Sequence, residues 1–139
     1  MIVEYNGDLF TNYNDNCFSY AHCVSADLVM GAGIAIKFKE KYSERFNELD
    51  ESKLGNIVYW QNGNQFVYNL ITKNLYWQKP TYKTLKSALY NMYNHAMLNG
   101  IKIIIMPRIG CGLDRLEWNK VKEIINEIFT EITVHIYNL

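Results

Sequence analysis

The sequence predicts one α/β domain of three layers, with helices on both faces of a mixed central sheet, and three observations carry that reading. Six short β-rich runs (residues 2–5, 18–24, 55–60, 65–71, 103–106 and 132–137) are interleaved with three helix-periodic stretches. The resulting order, β-β-α-β-β-α-β-α-β, sets helices against two faces of a sheet. Length and composition agree, since 139 residues with 49% apolar side chains suffice for one domain with an ordinary core. No repeat, linker or low-complexity segment interrupts the pattern, so residues 1–139 are read as a single domain.

Each element has its own signature. Ile2-Val3-Glu4-Tyr5 reads as a strand and Asn6-Gly7-Asp8 as the turn leaving it. That places Asp8 just past a strand end, where α/β sheets bind ligands, with Leu9 and Phe10 as walls. The polar run 11–16 reads as an exposed loop, and 18–24 as a central strand containing His22. A lone histidine in such a strand is read first as a satisfied core residue and second as a base. A helix opens at Gly31-Ala32-Gly33, with Ile34, Phe38, Tyr42, Phe46 and Leu49 near one face and Lys37, Lys39 and Lys41 on a solvated one.

Gln61-Asn62-Gly63-Asn64 joins two β-rich runs, and its Asn-Gly pair signals a hairpin. The second run ends in Leu70-Ile71-Thr72-Lys73, which leaves Lys73 at a strand terminus, and an aromatic loop with Tyr76 and Trp77 follows. Pro80-Thr81 starts the next helix, whose stripe is Tyr82, Leu85, Leu89, Met92 and Ala96, and Asn99-Gly100 ends it. Val121, Ile124, Ile125, Ile128 and Phe129 repeat at helical spacing in the last helix. Residues 132–137 alternate apolar and polar, as a final, less buried strand should.

Composition excludes several classes of function. Fourteen Lys plus Arg balance 14 Asp plus Glu, which argues against nonspecific nucleic-acid binding, a function that needs a basic face. The apolar runs are too short to span a membrane, and the N-terminal residues lack the basic and apolar regions of a signal peptide. Cys17, Cys23 and Cys111 form neither a CxxC pair nor a disulfide set, so a reducing, cytoplasmic setting without a structural metal is expected.

The chemistry concentrates in the run from Ile103 to Asp114. A buried strand enters a loop with Gly110 and Gly112, then a periodic helix, the arrangement that aims backbone N–H groups at an anion. Asp114 closes the loop and, with Glu117 three residues on, resembles a capping pair. The other glycine stretch, at 31–33, also opens a helix, so the two loops suit a ligand with two anionic groups or one diphosphate held from both sides. Neither is followed by Gly-Lys-Ser/Thr, which removes P-loop ATP hydrolysis, and the dinucleotide fingerprint is incomplete. Cys111 lies inside a loop that could form an oxyanion site, but no motif places a histidine beside it.

Taken in order, Asn6-Gly7-Asp8-Leu9-Phe10, Ala21-His22-Cys23-Val24-Ser25, Met30-Gly31-Ala32-Gly33-Ile34-Ala35, Leu70-Ile71-Thr72-Lys73, Lys79-Pro80-Thr81-Tyr82 and the run from Met106 to Leu116 resemble a macrodomain. Within that family the chain resembles the terminal ADP-ribose protein glycohydrolase type, also described as O-acetyl-ADP-ribose deacetylase. The resemblance runs the length of the chain, and the stretch from Met106 to Leu116 is its most specific part.

The resemblance implies a three-layer α/β/α macrodomain and a set of roles. Asp8 would hydrogen-bond the adenine amino group, with Leu9 and Phe10 beside the ring and Leu139 at the adenosine end. Ser25 and Thr72 would border the substrate. Gly31, Ala32, Gly33 and Ile34, and Arg108, Ile109, Gly110, Cys111, Gly112 and Leu113, would clasp the diphosphate and distal ribose. Lys73 and Asp114 match the two catalytic positions, nucleophile and acid/base, and no cofactor or metal is implied. A lysine poised as nucleophile needs apolar or cationic neighbours, and Lys79 and Arg115 are the candidates. The expected substrate is ADP-ribose on an acidic side chain or an O-acyl-ADP-ribose, bound by a monomer that meets nucleic acid only as ADP-ribosylated substrate. A non-catalytic ADP-ribose reader, an ADP-ribose 1″-phosphate phosphatase and a DNA-base ADP-ribose glycohydrolase would use the same cleft. Asn74-Leu75-Tyr76-Trp77, apolar where relatives tend to be basic, leaves the attached group open.

Overall fold

In a computed structural model of the chain, residues 1–10, 18–30, 33–42, 53–112 and 114–138 are described. The strands are β1 (Ile2–Asn6), β2 (Phe18–Ser25), β3 (Ile57–Asn62), β4 (Gln65–Lys73), β5 (Ile103–Pro107) and β6 (Thr133–Asn138). The helices are α1 (Ile34–Lys41), α2 (Tyr82–Leu98) and α3 (Trp118–Ile128). All six strands join one sheet in the order β1-β6-β5-β2-β4-β3. Five run parallel, and only the edge strand β3 is antiparallel to its neighbour β4. The expected element order and the mixed sheet are both present.

The pleat of β5 shows how the layers arise. Its successive side chains point to opposite faces, so both faces must be covered if the strand is apolar throughout. Ile104 and Met106 enter the core formed with α2 and α3, beside Leu85, Leu89, Val121 and Ile125. Ile105 enters the opposite core, where Phe38 of α1 packs with Tyr20, Val67, Leu9 and Tyr137. Helices therefore lie on both faces, the three-layer arrangement.

Local expectations are refined at three places. The two-residue hairpin turn is Gly63-Asn64, one residue later than the Asn-Gly pair, because Asn62 pairs with Gln65 and Gly63 takes φ +61°. Helix α2 starts where Pro80-Thr81 indicates, with Thr81 and Thr84 forming a reciprocal capping box. Gly100, just after the Asn99 cap, has φ +71°. Strand β6, expected to be less buried, lies inside the sheet between β1 and β5. Its alternation records unequal faces and not an edge position, since Val134 and Ile136 are buried while Thr133 and His135 are half-buried. The loop 11–16 and the stripe positions Phe46 and Leu49 lie outside the described residues.

Candidate functional site

Because five strands are parallel, their carboxyl ends share one edge of the sheet, where open α/β sheets bind ligands. A cavity of about 960 Å³ opens at that edge. Ser25, Lys73, Pro107 and Asn138, the last residues of β2, β4, β5 and β6, all line it. One wall is the N-terminus of α1, with Gly33, Ile34 and Ala35. A second is the loop after β5, from Arg108 to Gly112 and Asp114, and a third is Tyr76, Trp77, Gln78 and Lys79 after β4.

Gly33 is the N-cap of α1, with φ +61° and ψ −146° and no side-chain cap. The first turn holds no acidic residue, so its N–H groups and dipole favour an anion in the cavity. In the facing loop, Gly110 takes φ +71° and its carbonyl accepts the Leu116 N–H at 2.7 Å, which folds the loop back on itself. The Cys111 N–H donates to the Arg108 carbonyl at 3.2 Å, so that amide closes a turn.

Lys73 owes its direction to a register shift. Val24 pairs with Ile71, but Ser25 pairs with Lys73, so Thr72 is an extra residue on β4. A bulge of this kind bends the strand and re-aims the next side chain. Lys73 Nζ then donates to Asp114 Oδ1 at 2.7 Å, and the two side chains are only 15% and 17% exposed. The neighbour found against Lys73 is thus an anion, where apolar or cationic neighbours were expected. Asp114 is not a helix cap either. Helix α3 begins at Trp118, with Glu117 as N-cap and no side-chain cap, because the loop runs further than the capping pair suggested. The Glu117 N–H instead donates to Tyr82 Oη at 3.0 Å.

The remaining expected site residues divide clearly. Ser25, Gly33, Ile34, Arg108, Ile109, Gly110, Cys111 and Gly112 line the cavity with the Lys73–Asp114 pair. Asp8, Leu9, Phe10 and Thr72 do not. Leu9 is fully buried in the core under α1, and Phe10 packs edge-on against Phe38 at 4.9 Å, so both serve the core first. The exposed Asp8 accepts the Phe10 N–H at 3.0 Å. Thr72 is buried, and its hydroxyl has no hydrogen-bond partner among the described residues. Gly31, Ala32, Leu113 and Leu139 lie outside the described residues.

Two other candidates lose their chemistry. Burial pushes the Cys111 thiol up to about 11 against a smaller opposing effect of Arg108, so it is a thiol and not a thiolate at neutral pH. His22 is fully buried, stacks on Phe38 at 4.0 Å and bonds Asn69 Oδ1 through Nε2 at 2.6 Å. Burial lowers its pKa to about 4, so it is a neutral core residue. Three residues at the site carry no sequence signal. Trp118 lines the cavity, Glu4 accepts its indole N–H at 2.9 Å, and Asp27 holds the loop after β4. No short motif marks any of them.

The Macro domain family profile matches residues 21–125. The chain is a macrodomain. A curated relative, ADP-ribose glycohydrolase OARD1 of Homo sapiens, is 41% identical over 143 residues, covering 99% of this chain and 91% of that protein. Among solved structures, the macrodomain of Mycobacterium tuberculosis DarG superposes with a TM-score of 0.87 at 22% identity, covering 100% of this chain and 98% of that one. Thermosipho africanus DarTG in complex with ADP-ribose gives a TM-score of 0.79 at 22% identity, over 96% of this chain and 40% of that one. These likenesses establish the macrodomain fold, and the 41% relative supports a macrodomain of hydrolase type.

Proposed function

We propose that this macrodomain is an ADP-ribosyl hydrolase that releases ADP-ribose from acidic side chains, with Lys73 as nucleophile and Asp114 as acid/base. The observation that carries this reading is the Lys73–Asp114 contact of 2.7 Å inside a cavity bordered by a helix N-terminus and a glycine loop. A reader of ADP-ribose needs the two glycine loops, whereas the reaction also needs the Lys73–Asp114 pair that lines the same cavity. The 41% identical ADP-ribose glycohydrolase supports the same reaction class. Backbone N–H groups at Gly33 and in the loop 108–112 receive the diphosphate, which suits a chain with zero net charge.

The pair accounts for each proton. Asp114 accepts a proton from the Lys73 ammonium, and the amine forms a C–N bond to the anomeric carbon of the distal ribose. The C–O bond to the acceptor carboxylate breaks, and its electron pair leaves with the carboxylate. Asp114 returns the proton to that leaving group and, ionised again, takes a proton from a water whose oxygen bonds the anomeric carbon. The C–N electron pair leaves with the lysine amine, which receives that proton from Asp114. ADP-ribose and the starting ion pair are regenerated. An O-acyl-ADP-ribose in the same cleft undergoes ester hydrolysis.

Three variants test the assignment. Lys73→Ala abolishes turnover of a glutamate-linked ADP-ribosyl peptide but retains ADP-ribose binding by calorimetry. Asp114→Ala also loses turnover, by about 10²–10⁴-fold. Its lysine must lose the proton to solvent, so a covalent ADP-ribose on Lys73 builds up slowly without being resolved, visible by intact mass and peptide mapping. Lys73→Arg keeps the charge but is as inactive as alanine. Substantial activity in Lys73→Arg would instead assign the attack to water, with Asp114 as base.

A further inference from the structure

The chain leaves the sheet after Lys73, the last residue of β4, yet it must hold Lys73 and carry the aromatic side chains of Tyr76 and Trp77 to the cavity. Its anchorage comes from the turn after β2. Past the Ser25–Lys73 pairing, the Ala26 N–H donates to the Lys73 carbonyl at 2.9 Å, and the Asp27 N–H to the Asn74 carbonyl at 3.3 Å. Then the main chains part, and a side chain takes over. Asp27 Oδ2 accepts the Tyr76 N–H at 3.1 Å. Asp27 Oδ1 accepts the Ser25 hydroxyl and the Val29 N–H. One carboxylate thus holds two loops that carry opposite parts of the site.

We propose that Asp27 is a positioning residue for the hydrolytic reaction, clamping the segment from Lys73 to Tyr76 so that the amine meets Asp114 and the aromatic lip stays at the cavity mouth. The inference rests on the hydrolase reading above. Hydrogen bonds to an ionised acceptor are the stronger kind, which suits a clamp built on few contacts. Burial pushes the Asp27 carboxyl up, and the bonds from Ser25, Tyr76 and Val29 together outweigh it and hold the group below its ordinary 3.8. The turn it stabilises includes Leu28 at φ +56°, a conformation that a leucine holds only where its surroundings over-determine it. Trp77 and Tyr76 are 66% and 58% exposed, so packing of their own rings does little to fix the lip.

The test measures turnover of a glutamate-linked ADP-ribosyl peptide, ADP-ribose affinity, and the hydrogen exchange of the Tyr76 amide. Asp27→Ala lowers kcat by about tenfold to a hundredfold, the scale of a 1 Å misplacement, while ADP-ribose affinity stays within about threefold and Tyr76 loses its protection. Asp27→Asn falls between the parent and alanine. Its single amide oxygen can still accept from Tyr76, and the Ser25 hydroxyl can turn to accept from the amide nitrogen, but that nitrogen cannot accept the Val29 N–H. The inference is overturned if kcat in Asp27→Ala stays within about twofold of the parent, or if affinity falls in step with kcat. It is equally overturned if the Tyr76 amide keeps its protection in Asp27→Ala, since the carboxylate would then not hold the loop. If the parent protein binds ADP-ribose without turnover, the hydrolase reading fails by itself. Protection of Tyr76 in the two variants then decides alone whether Asp27 holds the loop.

Discussion

The two walls that meet at Lys73 and Asp114 are held by opposite physical means. On the β4 side, Asp27 gathers neutral donors, the Ser25 hydroxyl and the Val29 and Tyr76 N–H groups. On the β5 side, Glu4 gathers cations. It accepts Lys122 at 2.8 Å and the Trp118 indole at 2.9 Å, and it pairs with Arg108 at 3.6 Å while Arg108 lies 5.5 Å over the Trp118 ring. The side chains of Glu4, Lys122 and Arg108 are 35%, 38% and 41% exposed, so water and salt screen these pairs. What keeps the Asp114 loop in shape is its own main chain, above all the Leu116 N–H to Gly110 carbonyl bond of 2.7 Å. The wall with the nucleophile therefore depends on a side chain from a distant turn, and the wall with the acid/base depends on local backbone conformation. Substitutions at these places should separate the two.

The largest effect is expected from Gly112→Glu. A Cβ at Gly112 meets nothing within 4 Å among the described residues, so the fold should accept the residue. Its carboxylate would face the incoming diphosphate, and like charges in a closed site cost several kcal/mol, on the order of a hundredfold or more in affinity. Calorimetry with ADP-ribose and a thermal melt check both halves. Unchanged affinity at unchanged melting temperature would remove the β5 loop from the diphosphate site.

Acid should test the floor beneath both walls before it reaches either. The pKa of His22 is lowered by burial to about 4, against 6.5 for an unperturbed histidine. A group depressed in the folded state favours folding above its unfolded value, so stability is complete above pH 6.5 and falls as pH drops toward about 4. Each tenfold preference of the folded chain for the neutral ring is worth about 1.4 kcal/mol, so the loss approaches roughly 3 kcal/mol. Asp27 and Glu4 are also depressed, Asp27 by the bonds that outweigh its burial and Glu4 chiefly by the Lys122 hydrogen bond, and their contributions fade only below 3.8 and 4.5 respectively. Urea unfolding of the parent and of His22→Gln between pH 7 and 4 reads the difference. A parent curve as flat as that of the variant would sink the assignment.

Next in size is Gly110→Ala. The added Cβ would stand 2.9 Å from Leu116 Cδ1 on a backbone at φ +71°, a strain of about 1–2 kcal/mol. Stability and turnover should fall together, since the same loop carries Asp114. The smallest effect belongs to Glu4→Gln, about 0.2–1 kcal/mol in stability for exposed pairs. It should also flatten the salt dependence of turnover expected of the parent at low ionic strength. A larger loss than that of Asp27→Ala would reverse the comparison of the walls.

Element order, layers and half of the site were legible in the order of residues alone, because those depend on near-neighbour physics. Alternation and helical period mark which side chains can share a face, so β5, α2 and α3 could be read directly, as could the Thr81 cap and the two glycine stretches. The resemblance to a macrodomain then singled out Lys73 and Asp114 by motif position. Local reasoning failed where a residue's partner is distant. Asp114 resembled a cap for the following helix, yet its partner is Lys73, 41 positions earlier. Glu4 sits in an ordinary strand, and its partners lie at 108, 118 and 122. Asp27 meets Tyr76 across 49 positions. Leu9 and Phe10 looked like ligand walls at a strand end, but the α1 layer claims them for the core. Contacts between remote segments settle each of these cases. Which loops meet at the carboxyl edge of a sheet follows from strand order and from one bulge at Thr72, neither of which any short window of sequence contains.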